Sequence, residues 1–208
     1  MNTRDYELTH KKLIESAKTK FLEKGYEKAN VREICKGAGV TNGAFYKHFG
    51  DKESLFGEIV APTVKQLFDI YDQAEMKCLS FLDQKDIKSM QKISADTAVE
   101  FVDFIFKHRD EFKLILEASG GTKYVNIIDE LVEKDLASTK KILRYFSDHG
   151  VKYDVISDNE LHMITHSFFS CMFEIVLHDY NIEEAKRYVM TVKKFFNAGW
   201  TEILSFEL

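Results

Sequence analysis

Among 208 residues there are three cysteines, one tryptophan and one proline. Cys35, Cys78 and Cys171 are odd in number, far apart and at no metal-binding or redox spacing, so a disulfide framework is excluded and free thiols are expected. No stretch reaches the roughly 20 consecutive apolar residues that a membrane-spanning helix needs. The opening MNTRDYELTHKK lacks the apolar core of a secretory signal. The expectation is a cytoplasmic protein with no membrane partner. No phosphate-binding loop, no nucleophile paired with a base and no metal-binding helix motif is present, which argues against an enzyme and leaves no cofactor to expect. Alternation of the kind that marks β-strands is missing as well.

What is present is a chain with 45% hydrophobic and 30% charged residues, the balance of an ordered globular protein. The net charge of −5 argues on its own against a polyanionic partner, but the charge is unevenly placed. Residues 1–50 hold ten Lys or Arg against six Asp or Glu, whereas residues 51–208 hold nineteen against twenty-eight. Only the first part suits the approach of a polyanion.

Glycine divides the chain at the same point. Gly25, Gly37, Gly39, Gly43 and Gly50 account for five of the ten glycines, so short helices and tight turns are expected there. Leu13, Ala17 and Phe21 share one line of a helix over Thr9–Lys24 that ends at Gly25. Asn30 and Glu33 form a capping-box pair for a second helix, Val31 to about Ala38, and Gly39 ends it. Thr41 caps a third, Asn42 to about Phe49, with Phe45 and Phe49 inward. Asp51 caps a fourth. Beyond it the periodic segments lengthen: Lys52 into the Tyr71 region, Ile87–Lys107, Asp110–Ala118, Tyr124–Asp148, Asp158–His178 and Ile182–Ser205. Ser157 with Glu160 and Asn181 with Glu184 supply two more capping boxes. The fold class expected is all-α with about nine helices. A three-helix N-terminal domain of residues 1–51 precedes a larger helical domain of residues 52–208.

Two short helices joined by AGVT have the helix-turn-helix shape, whose second helix fits the major groove of DNA. The same pattern also arises from two small helices packed in any all-α protein. The chemistry around the third helix favours the first reading. Arg32, Thr41, Asn42, Tyr46, Lys47, His48 and Lys52 are hydrogen-bond donors gathered about it. Gly43 and Ala44 are small enough to let the backbone close on the groove. Arg can grip guanine in bidentate fashion, Asn can pair with adenine, and hydroxyl or ammonium groups suit phosphate oxygens.

The run VREICKGAGVTNGAFYKHFGDKESLF, Val31 to Phe56, resembles the TetR family of bacterial transcriptional regulators, and the likeness extends back over the preceding helix with its Phe21 and Gly25-Tyr26 ending. The remainder resembles the family only in length and helical layout. The resemblance implies that Thr41, Tyr46 and Lys52 hold the DNA backbone and that Arg32, Asn42, Gly43 and Lys47 lie closest to base edges, with His48 able to do either. Asn30 stands where members often have Thr, and Lys47 where they often have an aromatic residue. These departures bear on the base sequence read. A DNA-binding regulator is therefore expected, in the first place a repressor released from a palindromic double-stranded operator by a small-molecule effector. The alternative is a DNA-binding protein governed by a protein partner or acting structurally.

A helix-turn-helix unit this small normally needs two copies for useful specificity. The last two helices are apolar on two sides, which fits helices shared with a partner. The family pairs them as a four-helix bundle. A homodimer through Leu161, Phe168, Ile175, Val192, Phe196, Gly199, Trp200 and Ile203 is thus expected. A regulator of this type also implies an effector cavity, for which Phe101, Phe104, Phe112, Tyr124, His166, Phe169, Met172 and Phe173 are candidates; each equally suits an ordinary core. His162 and His166, four apart, match a metal-ligand spacing but lack a third ligand, so no metal is expected. Pro62 removes a hydrogen bond to the carbonyl of Glu58 and predicts a kink, either static or acting as a hinge.

Overall fold

The structure is a computed structural model and describes residues 3–82, 87–178 and 180–205, with side chains from residue 4 and not between 83 and 91. Among the described residues every regular element is an α-helix, and there are nine: α1 Thr3–Lys28, α2 Val31–Ala38, α3 Asn42–His48, α4 Lys52–Leu79, α5 Ile87–Lys107, α6 Arg109–Glu117, α7 Ile127–Asp148, α8 Asp158–Leu177 and α9 Ile182–Leu204. No helix among them is long and apolar enough to cross a membrane. The all-α fold with a helix-turn-helix followed by a larger helical part is as the sequence predicts.

The helix ends follow local chemistry. Gly25, at φ 75°, breaks α1 and leaves one further turn before α2. The Asn30 side chain accepts the Glu33 amide at 3.0 Å. The reciprocal half of that capping box is replaced, because the Glu33 carboxylate takes Lys24 Nζ at 2.7 Å. Both later capping boxes, at Ser157 and at Asn181, form in full. Helix α4 continues through Pro62 as one element of 28 residues. Helix α7 begins three residues later than expected, and Tyr124 lies in the turn before it.

The chain forms two compact units that differ from a division after residue 51. One takes in Met1–Gln66 and His108–Asn126, the other Leu67–Lys107 and Ile127–Leu208. Helix α6 joins the first unit because its apolar side, Phe112 and Ile115, is buried there. Its acidic start also meets α1: Lys18 Nζ lies 3.1 Å from Asp110 and 2.9 Å from Glu111. The amide of Tyr26 donates to the Ala118 carbonyl at 2.8 Å. Leu13, Phe21, Ile34, Phe45, Leu55 and Phe56, all fully buried, centre this unit. In the second unit α5 packs on α9 and α7 on α8, with α9 also against α8. Val102, Ile105, Leu131, Leu161, Ile175 and Val189 are buried there.

Candidate nucleic-acid interface and ligand cavity

The turn between α2 and α3 is set by two residues. Gly39 takes the left-handed conformation, φ 66° and ψ 34°, which a side chain would strain, and its amide returns to the α2 carbonyls. Thr41 then opens α3, its hydroxyl oxygen accepting the Ala44 amide at 3.2 Å. Phe45 is fully buried beneath α3. With that anchor in the core, Asn42, Gly43, Tyr46 and Lys47 are exposed, Ala44 is half-buried, and Arg32 and Thr41 are exposed nearby. Tyr46 is 60% exposed, its ring edge-on to Phe45. Among the described residues neither Arg32 nor Lys47 is in an ion pair. The surface around α3 therefore offers the Arg32 guanidinium from α2, the Thr41 hydroxyl from the N-cap, and an ammonium, an amide and a phenol hydroxyl from α3 itself.

Two residues expected on that face are used otherwise. Lys52 Nζ donates to the carbonyls of Tyr26 at 2.6 Å, Ala29 at 2.9 Å and Glu27 at 3.3 Å, and lies 4.2 Å above the Tyr26 ring. Its three hydrogens are spent on the carbonyls that the end of α1 leaves open, and partial burial lowers its pKa. His48 turns inward. Its ring stacks on Tyr6 with centroids 3.9 Å apart, and 5.6 Å from it lies His10, which pairs with Glu58 at 2.5 Å. Both ring nitrogens of His48 are buried and have no hydrogen-bond partner among the described residues. Burial first, then the neighbouring His10 and Lys47, lowers the His48 pKa. With both nitrogens buried and the ring stacked on Tyr6, His48 presents no N–H on the exposed face of α3. Neither role was legible locally, because the partners lie 23 to 26 residues away for Lys52 and on another helix for His48.

The second unit contains a cavity of about 210 Å³ among α4, α5, α7, α8 and α9. Of the residues offered for an effector cavity, Phe101, Phe169 and Met172 line it. The other candidates do not. Phe112 and Tyr124 belong to the first unit's core, Tyr124 being 6.0 Å from the Phe56 ring. Phe104 is packed in the interior, and Phe173 packs edge-on to Phe101 behind the wall. His166 is partly exposed, 3.7 Å from Asp129, with Ser170 Oγ 3.3 Å from its Nδ1. His162 lies 3.5 Å from Glu133. No group of three metal-ligating side chains occurs among the described residues. The polar lining is one that sequence reasoning missed: Tyr71, Glu75, Asp135 and Lys193, with Cys78 and the hydroxyls of Ser94, Thr97, Ser138 and Thr139. The Tyr71 hydroxyl donates to Asp135 at 2.8 Å, and Lys193 Nζ to Ser94 Oγ. Burial raises the pKa of Asp135 and Tyr71 and lowers that of Lys193.

On α8 and α9, Leu161, Ile175 and Val192 are buried within the chain and so are withdrawn from any shared face. Phe168, Phe196, Gly199 and Trp200 are half-buried and Ile203 is exposed. Phe195, 74% exposed, and Met163, 65%, lie on the same two helices.

A polar short helix held over a buried phenylalanine, following a capped glycine turn, has the geometry of a helix-turn-helix. Residues 13–59 match the family model of bacterial regulatory proteins, tetR family. An uncharacterized HTH-type transcriptional regulator of Bacillus subtilis, YdgC, is 23% identical over 76% of this chain and 78% of its own. The probable acrEF/envCD operon repressor of Escherichia coli is 31% identical over 54% of this chain, and the match spans only 53% of that protein. The solved structure of SCO3833, a TetR-family regulator from Streptomyces coelicolor, shares the fold at a TM-score of 0.61 and 19% identity, covering 88% of each chain. The chain thus resembles the tetR family in sequence over residues 13–59 and shares the fold of a solved member. Its relatives are regulators, not enzymes.

Proposed function

We propose that this protein is a cytoplasmic, homodimeric repressor that holds a palindromic operator with the α3 helices of its two subunits and releases it when a small molecule fills the α4–α9 cavity. The observation that carries the DNA-reading role is α3 itself. Thr41 and Tyr46 are placed for phosphate oxygens, Arg32, Asn42 and Lys47 for base edges, and Gly43 and Ala44 leave room for the groove wall. The repressor role is supported by the matched Escherichia coli protein, whose name is that of an operon repressor.

The dimer reading rests on the exposed apolar side chains of α8 and α9. Phe195, Met163 and Ile203 beside half-buried Phe168, Phe196 and Trp200 form an apolar face. Faces of this kind on soluble proteins are normally covered by a partner. Gly199 adds access, since a Cβ built on it meets no atom within 4 Å. The release reading rests on α4, which supplies Leu55 and Phe56 to the first unit's core and Leu67, Ile70, Tyr71 and Ala74 to the cavity wall. A ligand that displaces the second half of this helix acts on the first half along one continuous helix, whose ladder lacks a bond only at Pro62, and half-sites about 34 Å apart make small displacements felt.

The test is selection of bound duplexes from a random library, followed by anisotropy titration of the enriched sequence. Enrichment of an inverted repeat bound by two subunits is expected. Failure to enrich any duplex overturns the reading.

A further inference from the structure

We propose that the cavity takes a compact, largely apolar organic acid whose carboxylate docks on the Lys193 ammonium. This rests on the ligand-release reading above and assigns the class of ligand. Lys193 is 8% exposed and lines the cavity. Its hydrogen-bond partner among the described residues is the neutral hydroxyl of Ser94, and no ion pair joins it to Asp135 or any other carboxylate among them. An ammonium has three hydrogens to give; the charge of Asp135 acts on it without touching it, and burying an ammonium with no contacting anion is costly. A carboxylate entering the cavity supplies the missing acceptor through a charge-assisted bond. Phe168, whose ring lies 5.2 Å from the same ammonium, closes one side of that position.

The rest of the lining limits the molecule. Phe101, Phe168, Phe169 and Met172 offer aromatic and thioether surface for an apolar body. The volume of about 210 Å³ is modest; a cavity of roughly 150 Å³ holds benzene, so one ring with a short acid chain, or a short aliphatic acid, is the right size. An organic cation is disfavoured by Lys193. The two carboxylates of the lining are also already engaged: Asp135 accepts the Tyr71 hydroxyl, and burial makes its charged form costly, while Glu75 pairs with Lys141 at 3.5 Å. A phosphate is disfavoured because a dianion would meet a single ammonium with no arginine or backbone amide cluster in the lining.

The experiment is thermal unfolding and calorimetry of the intact protein with benzoate, phenylacetate, cinnamate and hexanoate, each beside its primary amide and its amine. At millimolar concentration at least one acid should raise the midpoint by several degrees, by mass action, and bind at least about tenfold more tightly than its amide. In Lys193→Met, shown folded by circular dichroism, that preference should vanish. In Asp135→Asn, which removes the nearby negative charge, it should persist or grow. Amides or amines that match or exceed every acid, or an acid preference that survives in Lys193→Met, overturn the assignment. Its failure is distinct from that of the release reading. An amide that frees operator as well as its acid would retain release and reject the acid class. An acid that binds through Lys193 yet leaves operator bound would do the reverse.

Discussion

The ammonium of Lys52 sits 2.6 Å from the carbonyl oxygen of Tyr26 and closes the end of α1. Resemblance to the TetR family places a lysine at the start of α4 on the DNA backbone. The geometry gives it a structural task instead, holding α1 and α4 together beneath the reading helix.

Lys52→Met should therefore lower the stability of the folded protein, by about 1.5 kcal/mol for lost bonds to a charged donor. It should leave the salt dependence of DNA binding unchanged well below the melting midpoint. Urea unfolding and salt titrations of binding measure the two effects separately. An unaltered unfolding midpoint with a shallower salt slope would return Lys52 to the phosphate backbone.

His48 predicts a pH effect of definite sign. Tyr6 and His10 face it from α1, with Glu58 of α4 paired to His10, and Lys47 is its neighbour. Its pKa is lowered in the folded state, so the unfolded chain binds the proton more readily. The contribution to stability is present above the ordinary histidine value of about 6.5 and is lost as pH falls below it. His48→Phe keeps a ring to stack on Tyr6 and should lose less stability than wild type between pH 7.5 and 5.5 in chemical denaturation. An equal loss in both proteins would place the proton elsewhere.

Phe195 is 74% exposed on α9. Phe195→Glu puts a charge into the proposed seam, where an unpaired charge is strongly unfavourable. Sedimentation velocity should show a dimer for wild type and a monomer for the variant at micromolar concentration, with operator binding weakened accordingly. A variant that stays dimeric would move the interface off this face.

The parts legible in the sequence are those whose causes are local. Asn30 and Thr41 accept amides, and Gly39 donates its own to carbonyls, all within four residues, so the boundaries of α2 and α3 are readable from neighbours. Phe45 inward and Tyr46 outward follow from helical spacing. The illegible parts depend on distant partners. Lys18 draws α6 into the first unit across more than 90 residues of chain, and Glu33 leaves the expected capping box for Lys24. The aromatic candidates for the cavity were chosen by residue type, which does not separate wall from filled core. The lining depends on which helix faces which, and it brought in Tyr71, Asp135 and Lys193 from three helices. In α8 and α9, apolar spacing marks two sides of each helix. It does not say that Leu161 and Ile175 point inward while Phe195 remains outside.

The most direct test of the DNA-reading account is an anisotropy titration of the selected operator at several salt concentrations, comparing wild type with Lys47→Ala. The account predicts steep salt dependence for wild type and, if Lys47 also neutralises a phosphate, a log–log slope lower by about 1 in the variant. Where Lys47 instead reads a base, it predicts about 1–3 kcal/mol of affinity lost at one operator position with the slope kept. Identical slope, affinity and sequence preference in the two proteins, or no salt-dependent binding to duplex DNA at all, would contradict it.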